Sequence, residues 1–365
     1  MVLEEILLLK SPVSVKPIFD IPDNCSKSYK TFCILEAAVN IRLFDILSMP
    51  KTLNELCDAL GTDPDVTRNI CTILTCLGLL DERGGLFKNT ELSDCYLRSD
   101  SPLFLDHIVK NVRDGFEIWK RLDESAKNGP IVIPEETFFG NFMQSHASEA
   151  LCGELQRVVH IISTIPEFKN AKKLLDLGGG HGLYAIAFTK ANPNLEAYVF
   201  DFPDVLEHTK RNIKKFTADR VKVIPGNFFT DDIGAGYDMV FFSYNPGGKN
   251  PGLVPKIHSS LNDGGLFVTK HVFYHEGEGS KDPLLDIEWN LVAWKGVKKE
   301  ARIYSFDGDL TLEAYNELLE RYFSIMRIID APDFVGHTLS KLGDSPDSKL
   351  IIAKKKNWRT SKPES

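Results

Sequence analysis

The densest chemical signal in the chain is a run of glycines with an acid before it: Leu175-Asp176-Leu177-Gly178-Gly179-Gly180-His181-Gly182. It closes a short apolar stretch that reads as a strand and opens a helix beginning at Leu183. Glycines at such a junction permit a tight turn and let a ligand lie against the backbone. The spacing is Asp-x-Gly-x-Gly-x-Gly, not the Gly-x-Gly-x-x-Gly of dinucleotide binders, and no Lys-Ser pair follows, which excludes a phosphate-cradling P-loop. The plainer reading is a loop that only joins strand to helix. Asp201 ends the next strand, about one crossover unit later, where a carboxylate bonds a ribose diol. Its plainer reading is a cap for the helix that starts at Pro203. After a third strand, Asn227-Phe228 offers an amide for an adenine edge and a ring for its face. Three strand ends in series point to a ligand that carries a nucleoside, with Asp176, Gly178, Gly180, Gly182, Asp201, Asn227 and Phe228 as its contacts.

Those residues need a scaffold that sets strand ends side by side. From Lys172 onward, short apolar runs at 173–177, 197–201, 221–224, 239–242 and 266–269 alternate with stretches long enough for crossover helices. That alternation is the mark of a doubly wound α/β domain built on a parallel sheet. Runs at 325–329 and 349–353 add a closing pair. The texture upstream is different. Thr52 and Glu55 are spaced as a capping box, and Asp63-Pro64 pairs an N-cap with proline at the first helical position. Val66, Ile70, Ile73, Leu74 and Leu77 recur at helical spacing and predict one buried face. A small hairpin turns at Glu82-Arg83-Gly84-Gly85. Helix, helix, hairpin is the order of a winged helix. The stretch 102–168 reads as mostly helical, with one long helix over 149–162. The expected division is a winged-helix-like domain over 1–101, a helical linker and substrate-lining segment over 102–168, the ligand-binding α/β domain over 169–356 and a flexible tail over 357–365.

Charge narrows the partners. The 365 residues carry a net charge of −8, and between residues 51 and 100 five basic side chains face nine acidic ones. Phosphate contacts supply most of the affinity for DNA, so this module reads as a packing or dimerisation domain, not as a nucleic-acid reader. No apolar run approaches the length of a membrane span. The first ten residues read as a short helix, not a secretory signal, which places the chain in the cytoplasm. Seven cysteines without a Cys-x-x-Cys pair read as reduced thiols, with neither metal site nor disulfide framework.

The motifs Asp176-Leu-Gly-Gly-Gly-His-Gly182, Phe200-Asp-Phe-Pro-Asp204, Gly226-Asn-Phe-Phe229 and Leu261-Asn-Asp-Gly-Gly265 resemble the successive cofactor motifs of the small-molecule O-methyltransferases. That family includes the caffeate, hydroxyindole and polyketide-tailoring enzymes. Ile41-Arg-Leu-Phe-Asp45 and Thr75-Cys-Leu-Gly-Leu-Leu80 are similar to its dimerisation domain. The resemblance implies a Rossmann-like class I methyltransferase fold, S-adenosylmethionine as cofactor, a homodimer, and a small aromatic or heteroaromatic acceptor. It implies cofactor contacts at Gly178, Gly180, Asp201 and at Asn227, where the family carries aspartate; Ser243 joins this set. It departs at the chemistry. Ser243-Tyr244 fall where the family has Lys-Trp, and Gly247-Gly248 where it has the His-Asp pair whose histidine deprotonates the acceptor. The candidates to replace that base are His271 and His275, with Glu276, Tyr244 and Asp309 as supporting groups. Asn245-Pro246 carries half of the Asn-Pro-Pro-aromatic pattern of amino-group methyltransferases, and a turn is its plainer reading. Phe139, Met143, Trp289 and Trp294 are candidates to line the acceptor pocket, although such residues on helices fill cores more often. The missing base keeps N-, C- or S-methylation open, along with a non-catalytic regulator that keeps the cofactor fold.

Overall fold

The computed structural model describes residues 13–133, 143, 146–294, 297–331 and 348–356. The expected short helix over 1–10, the candidate Phe139 and the tail from 357 lie outside the described residues. The chain divides into two compact units, Met1–Val109 and Lys110–Ser365.

In the first unit the described elements are α1 (Lys16–Asn40), α2 (Leu43–Ile46), β1 (Lys51–Thr52), α3 (Leu53–Leu60), α4 (Pro64–Cys76), β2 (Leu80–Arg83), β3 (Leu86–Asn89) and α5 (Glu91–Tyr96). The helix starts follow from local chemistry. The Thr52 hydroxyl accepts from the Glu55 amide while the Glu55 carboxylate accepts from the Thr52 amide, closing the capping box. Asp63 accepts from the amides of Asp65 and Val66, with Pro64 in the first turn. Strands β1, β3 and β2 form a small antiparallel sheet. The core gathers Leu43, Phe44, Leu56, Cys71, Leu74, Leu80 and Phe87. The buried face of α4 is offset from the expected one: Leu74 is buried and Ile70 packs against the core as expected, but Thr67 and Cys71 also turn inward, while Val66 and Leu77 stay exposed. The cause is that α4 carries two adjacent apolar stripes, and its own core takes only one of them.

Helix α6 (Asp106–Trp119) carries the chain onward to α7 (Leu122–Asn128) and β4 (Ile131–Ile133). The helix expected over 149–162 is broken. Gly153 adopts φ 131° inside a one-turn wide helical segment, Ala150–Glu154, and α8 (Leu155–Ser163) starts only after it. Then follow α9 (Pro166–Asn170), β5 (Lys173–Leu177), α10 (Leu183–Ala191), β6 (Glu196–Asp201), α11 (Pro203–Lys215), β7 (Val221–Pro225), β8 (Tyr237–Ser243), α12 (Leu253–Ser260), β9 (Leu261–Val272), α13 (Pro283–Leu291), β10 (Val292–Trp294), α14 (Leu312–Tyr322), β11 (Phe323–Ala331) and β12 (Ser348–Lys355).

Seven of these strands form one sheet in the order β11-β12-β9-β8-β5-β6-β7. The five from β9 to β7 run parallel, and β12 runs against them, pairing antiparallel with β9 on one side and β11 on the other. Side chains alternate between faces, so adjacent residues of one strand enter different cores. Leu174, Met239 and Val268 pack with α8, α9 and α10 on one face, and Leu175, Val240 and Phe267 with α12 and α14 on the other. Burial on both faces explains why the strands read as continuous apolar runs. The expected doubly wound α/β class is the one observed. Its reversal of strand order between β5 and β8 opens a crevice at the carboxyl ends of the strands, where such sheets take ligands.

Candidate active site

The β5–α10 loop forms one side of the crevice. Gly178, Gly180 and Gly182 take φ of 62°, 53° and 71°, the left-handed region that side chains disfavour. The Gly178 amide donates to the Phe200 carbonyl (2.7 Å), locking the loop to β6. A Cβ at Gly180 would come within 2.9 Å of Met143 Sδ, so this candidate lining residue sits against the glycine loop. Asp201 Oδ2 accepts from the Gly180 amide (2.8 Å) and Oδ1 from the Phe202 amide (2.7 Å). Its carboxyl is pushed up to about 6 by burial, against those two hydrogen bonds. Asp176 is 2% exposed, and burial pushes its carboxyl up to about 7. Its Oδ2 and the hydroxyl of Ser243 are buried without a partner among the described residues. Unsatisfied buried polar atoms beside a backbone cradle fit a polar ligand that completes their bonding.

The third strand end divides its two predicted contacts. Asn227 is half-buried, and its side-chain oxygen accepts from the Phe229 amide (2.9 Å), which leaves one lone-pair direction open. Phe228 is buried and packs edge-on against Phe242, 5.5 Å between centroids, whereas its neighbour Phe229 is 48% exposed. Asn245 proves to be a strap. Its side-chain amide donates to the carbonyls of Leu177, Gly178 and Ser243, tying the end of β8 to that of β5.

Side chains form the other side of the crevice, beyond the ends of β8 and β9. Tyr244 adopts φ 50° and Tyr304 φ 56°, conformations that cost bulky residues roughly 1–3 kcal/mol each. Both are 42% exposed, and their rings lie 6.2 Å apart. A buried lysine stands behind each. Lys270, 1% exposed, donates to the Tyr244 hydroxyl (2.8 Å) and to Glu154 Oε1 (2.6 Å), which also accepts from the Tyr184 hydroxyl (2.9 Å). Lys249 donates to the Tyr304 carbonyl (2.7 Å) and pairs with Asp309 Oδ2 at 2.9 Å. Burial pushes the Lys249 ammonium down and the Asp309 carboxyl up, each opposed by the attraction between them. The Asp309 carboxylate also accepts from the Phe306 amide, so it anchors the loop that carries Tyr304.

The two histidine candidates part company. His271 is 3% exposed, edge-on to Phe242 and Tyr244, and its pKa is lowered well below the usual value by burial, then by Lys249 and Lys270. Its ring lies directly over Gly248: any Cβ there would collide with the imidazole. His275 lies at the surface with its Nδ1 2.5 Å from Glu313 Oε1. Trp289 and Trp294 pack edge-on at 5.3 Å in a small core with Val292 and Ile303. The Lys299 ammonium sits over both rings, at 4.3 and 4.6 Å, and Trp289 touches Tyr304 at 5.8 Å.

Glu154, Lys249, Lys270 and Tyr304 are absent from the sequence-derived set. Lys270 alone left a trace there, as a charge inside the apolar run from Leu266 to Val272. Among the described residues no group of three His, Cys, Asp or Glu side chains is placed to hold a metal, and no helix is long and apolar enough to cross a membrane.

Comparison with known proteins adds a lineage to this geometry. The model of an O-methyltransferase domain matches residues 135–297, and that of an O-methyltransferase dimerisation domain matches 24–99. An uncharacterized protein of Methanocaldococcus jannaschii is 38% identical over 371 aligned residues, spanning 96% of this chain and all of that one. The tetracenomycin polyketide synthesis 8-O-methyl transferase of Streptomyces glaucescens is 28% identical over 64% of this chain and 73% of its own length. The crystal structure of human N-acetylserotonin methyltransferase in complex with SAM superposes with a TM-score of 0.61 at 19% identity, over 96% of this chain and all of that one.

Proposed function

The chain belongs to the O-methyltransferase family, and from that membership we propose that it moves the methyl group of S-adenosylmethionine to a small aromatic or heteroaromatic acceptor, at an oxygen first of all. The observation that carries the reading is the meeting of the left-handed glycine loop with the buried Asp201 at the strand-order reversal. Asp176, Gly178, Gly180, Gly182, Asp201, Asn227, Phe228 and Ser243 hold the cofactor, with Met143 closing over the glycines. Trp289 and Trp294 support the acceptor pocket through Tyr304. The bound cofactor supplies an activated methyl group on a positively charged sulfur. The chain's own contribution is to exclude water, to align the acceptor for in-line attack and to take a proton from it where the attacking atom carries one.

The same reading assigns residues 1–101 to a winged-helix-like self-association module, 102–168 to the acceptor-lining segment and 169–356 to the catalytic domain of a cytoplasmic homodimer. Exposed Val66 on α4, Leu77 just after it, and Ile18, Phe19 and Ile21 on α1 support the self-association part. The seven cysteines, all unbridged, support a reducing compartment.

The test is calorimetric titration with S-adenosylhomocysteine, followed by transfer of labelled methyl from S-adenosylmethionine to a panel of phenols. Saturable binding with a methylated ether is the expected result. Absence of binding sinks the reading. Binding without an ether, on phenols, amines and thiols alike, moves the chain to the non-catalytic regulators.

A further inference from the structure

Two non-glycine residues of this crevice, Tyr244 and Tyr304, are held left-handed, and they face each other across 6.2 Å. Strain of this kind persists only where the surroundings over-determine it, and it clusters at functional sites. The surroundings of Tyr244 are unusual for a half-exposed phenol. Its oxygen accepts from an ammonium that is 1% exposed, and that ammonium is fixed from behind by Glu154 on the wide turn created at Gly153. The Tyr244 amide also donates to the Lys270 carbonyl (3.0 Å), so one residue grips the tyrosine at both ends.

We propose that Tyr244 is the proton acceptor of this enzyme and that Lys270 is its positioning residue, a Tyr–Lys dyad taking over the role of the family's histidine from a different position. The proposal rests on the methyltransferase reading above. An ammonium at 2.8 Å favours the phenolate over the phenol. Other described groups near the ring act differently. His271 is held neutral, Tyr184 is engaged with Glu154, Glu154 faces Lys270, and Tyr304 meets Tyr244 through its ring. Tyr244 is 42% exposed, and the Tyr304 ring at 6.2 Å gives an aromatic acceptor a wall to lie against. His271, the alternative, is enclosed over Gly248 with almost no exposed surface.

The step balances without a further reagent. The Tyr244 phenolate takes the hydroxyl proton of the acceptor and becomes a phenol. The electron pair left on the acceptor oxygen forms the bond to the methyl carbon. The carbon–sulfur bond breaks, and its pair leaves with sulfur as a neutral thioether. Lys270 keeps its protons throughout, and Tyr244 returns its own to solvent.

The first test needs neither cofactor nor acceptor, so it stands apart from the fate of the methyltransferase reading. Tyrosinate absorbance is followed in a pH titration of the whole chain, and the Tyr244→Phe curve is subtracted. The expected difference is one tyrosine ionising below the ordinary value of ~10; Lys270→Arg keeps that transition and Lys270→Met moves it up. A Tyr244 transition at or above the ordinary value overturns the proposal. The second test uses phenols of graded acidity with S-adenosylmethionine. Tyr244→Phe should lose roughly 10²–10⁴ in rate on a weakly acidic phenol and little on a nitrophenol that is already ionised, with S-adenosylhomocysteine affinity unchanged. Equal losses on both phenols, or none on either, reject the dyad. If no phenol is methylated by the unmodified chain, the functional reading has failed while the absorbance titration still decides the ionisation of Tyr244.

Discussion

The two sides of the crevice are built from different material. Around β5 and β6 the working surface is backbone: three left-handed glycines, amides that turn toward Asp201, and a carbonyl of the loop held by the Thr209 hydroxyl at 2.5 Å. Around β8 and β9 it is side chains, with two tyrosines backed by two buried lysines. A backbone cradle has little freedom to vary, because its shape follows from φ and ψ. A side-chain wall can be rebuilt by substitution, provided each buried charge keeps a partner. The difference suits a protein that must hold one cofactor and choose among acceptors.

Substitutions can break or sharpen this contrast. The largest effect is expected on the backbone side. Gly180→Val forces a branched side chain into φ 53° and against Met143, so calorimetry should detect no S-adenosylhomocysteine binding. Retained affinity would show that the cradle tolerates side chains after all. Next in size is Lys249→Met, which leaves Asp309 buried without its cation. Urea denaturation should show a loss of about 3–5 kcal/mol, with cofactor-analogue affinity unchanged in the folded fraction. Loss of that affinity in proportion would mean that the two sides are not separable.

A third measurement probes Asp176. Its carboxyl is raised to about 7, so the folded chain keeps a proton that the unfolded chain has lost above about pH 4. The unfolded state therefore binds fewer protons in that window, and the contribution of Asp176 to stability falls as pH rises from about 4 to about 7. It is whole below pH 4. Relative to Asp176→Asn, the unmodified chain should lose up to about 1.4 kcal/mol per pH unit across this window in parallel denaturation curves. Parallel curves without that divergence would mean the carboxyl is not held protonated. The smallest effect belongs to His275→Ala at the surface, expected to stay within about 0.5 kcal/mol in stability and at the parent methyl-transfer rate. A collapse of the rate in this variant would return the base to β9's distal loop.

What could be read in the sequence follows the same divide. The glycine loop, Asp201 and the strand set announce themselves, because left-handed turns require glycine and buried parallel strands require apolar runs. The capping box at Thr52 and Glu55 is equally local. The tyrosine wall depends on pairs distant in sequence: Glu154 meets Lys270 across 116 positions and Lys249 meets Tyr304 across 55. Nothing in the residue types around Tyr244 or Tyr304 signals a left-handed backbone, which glycine or asparagine would normally mark. The helical spacing over 149–162 hides the break at Gly153 that sets Glu154 in place. At the third strand end Phe228 and Phe229 are alike in type, and only packing buries the one and exposes the other.

Lys270 and His271 are consecutive in β9 and lie on opposite faces of the sheet, one reaching toward Glu154 and the other over Gly248. A single residue deleted from β9 ahead of them would set the His271 imidazole behind the Tyr244 hydroxyl, and one inserted there would set the Lys270 ammonium against the Gly248 backbone; either slip takes the cation away from Glu154. The length of the strand between Leu266 and Lys270 is therefore locked together with the charge at Lys270, on which both Glu154 and Tyr244 depend. Lineages descending from this chain are expected to keep a cation at the position of Lys270 and to confine gaps in their alignments to the loop that follows β9.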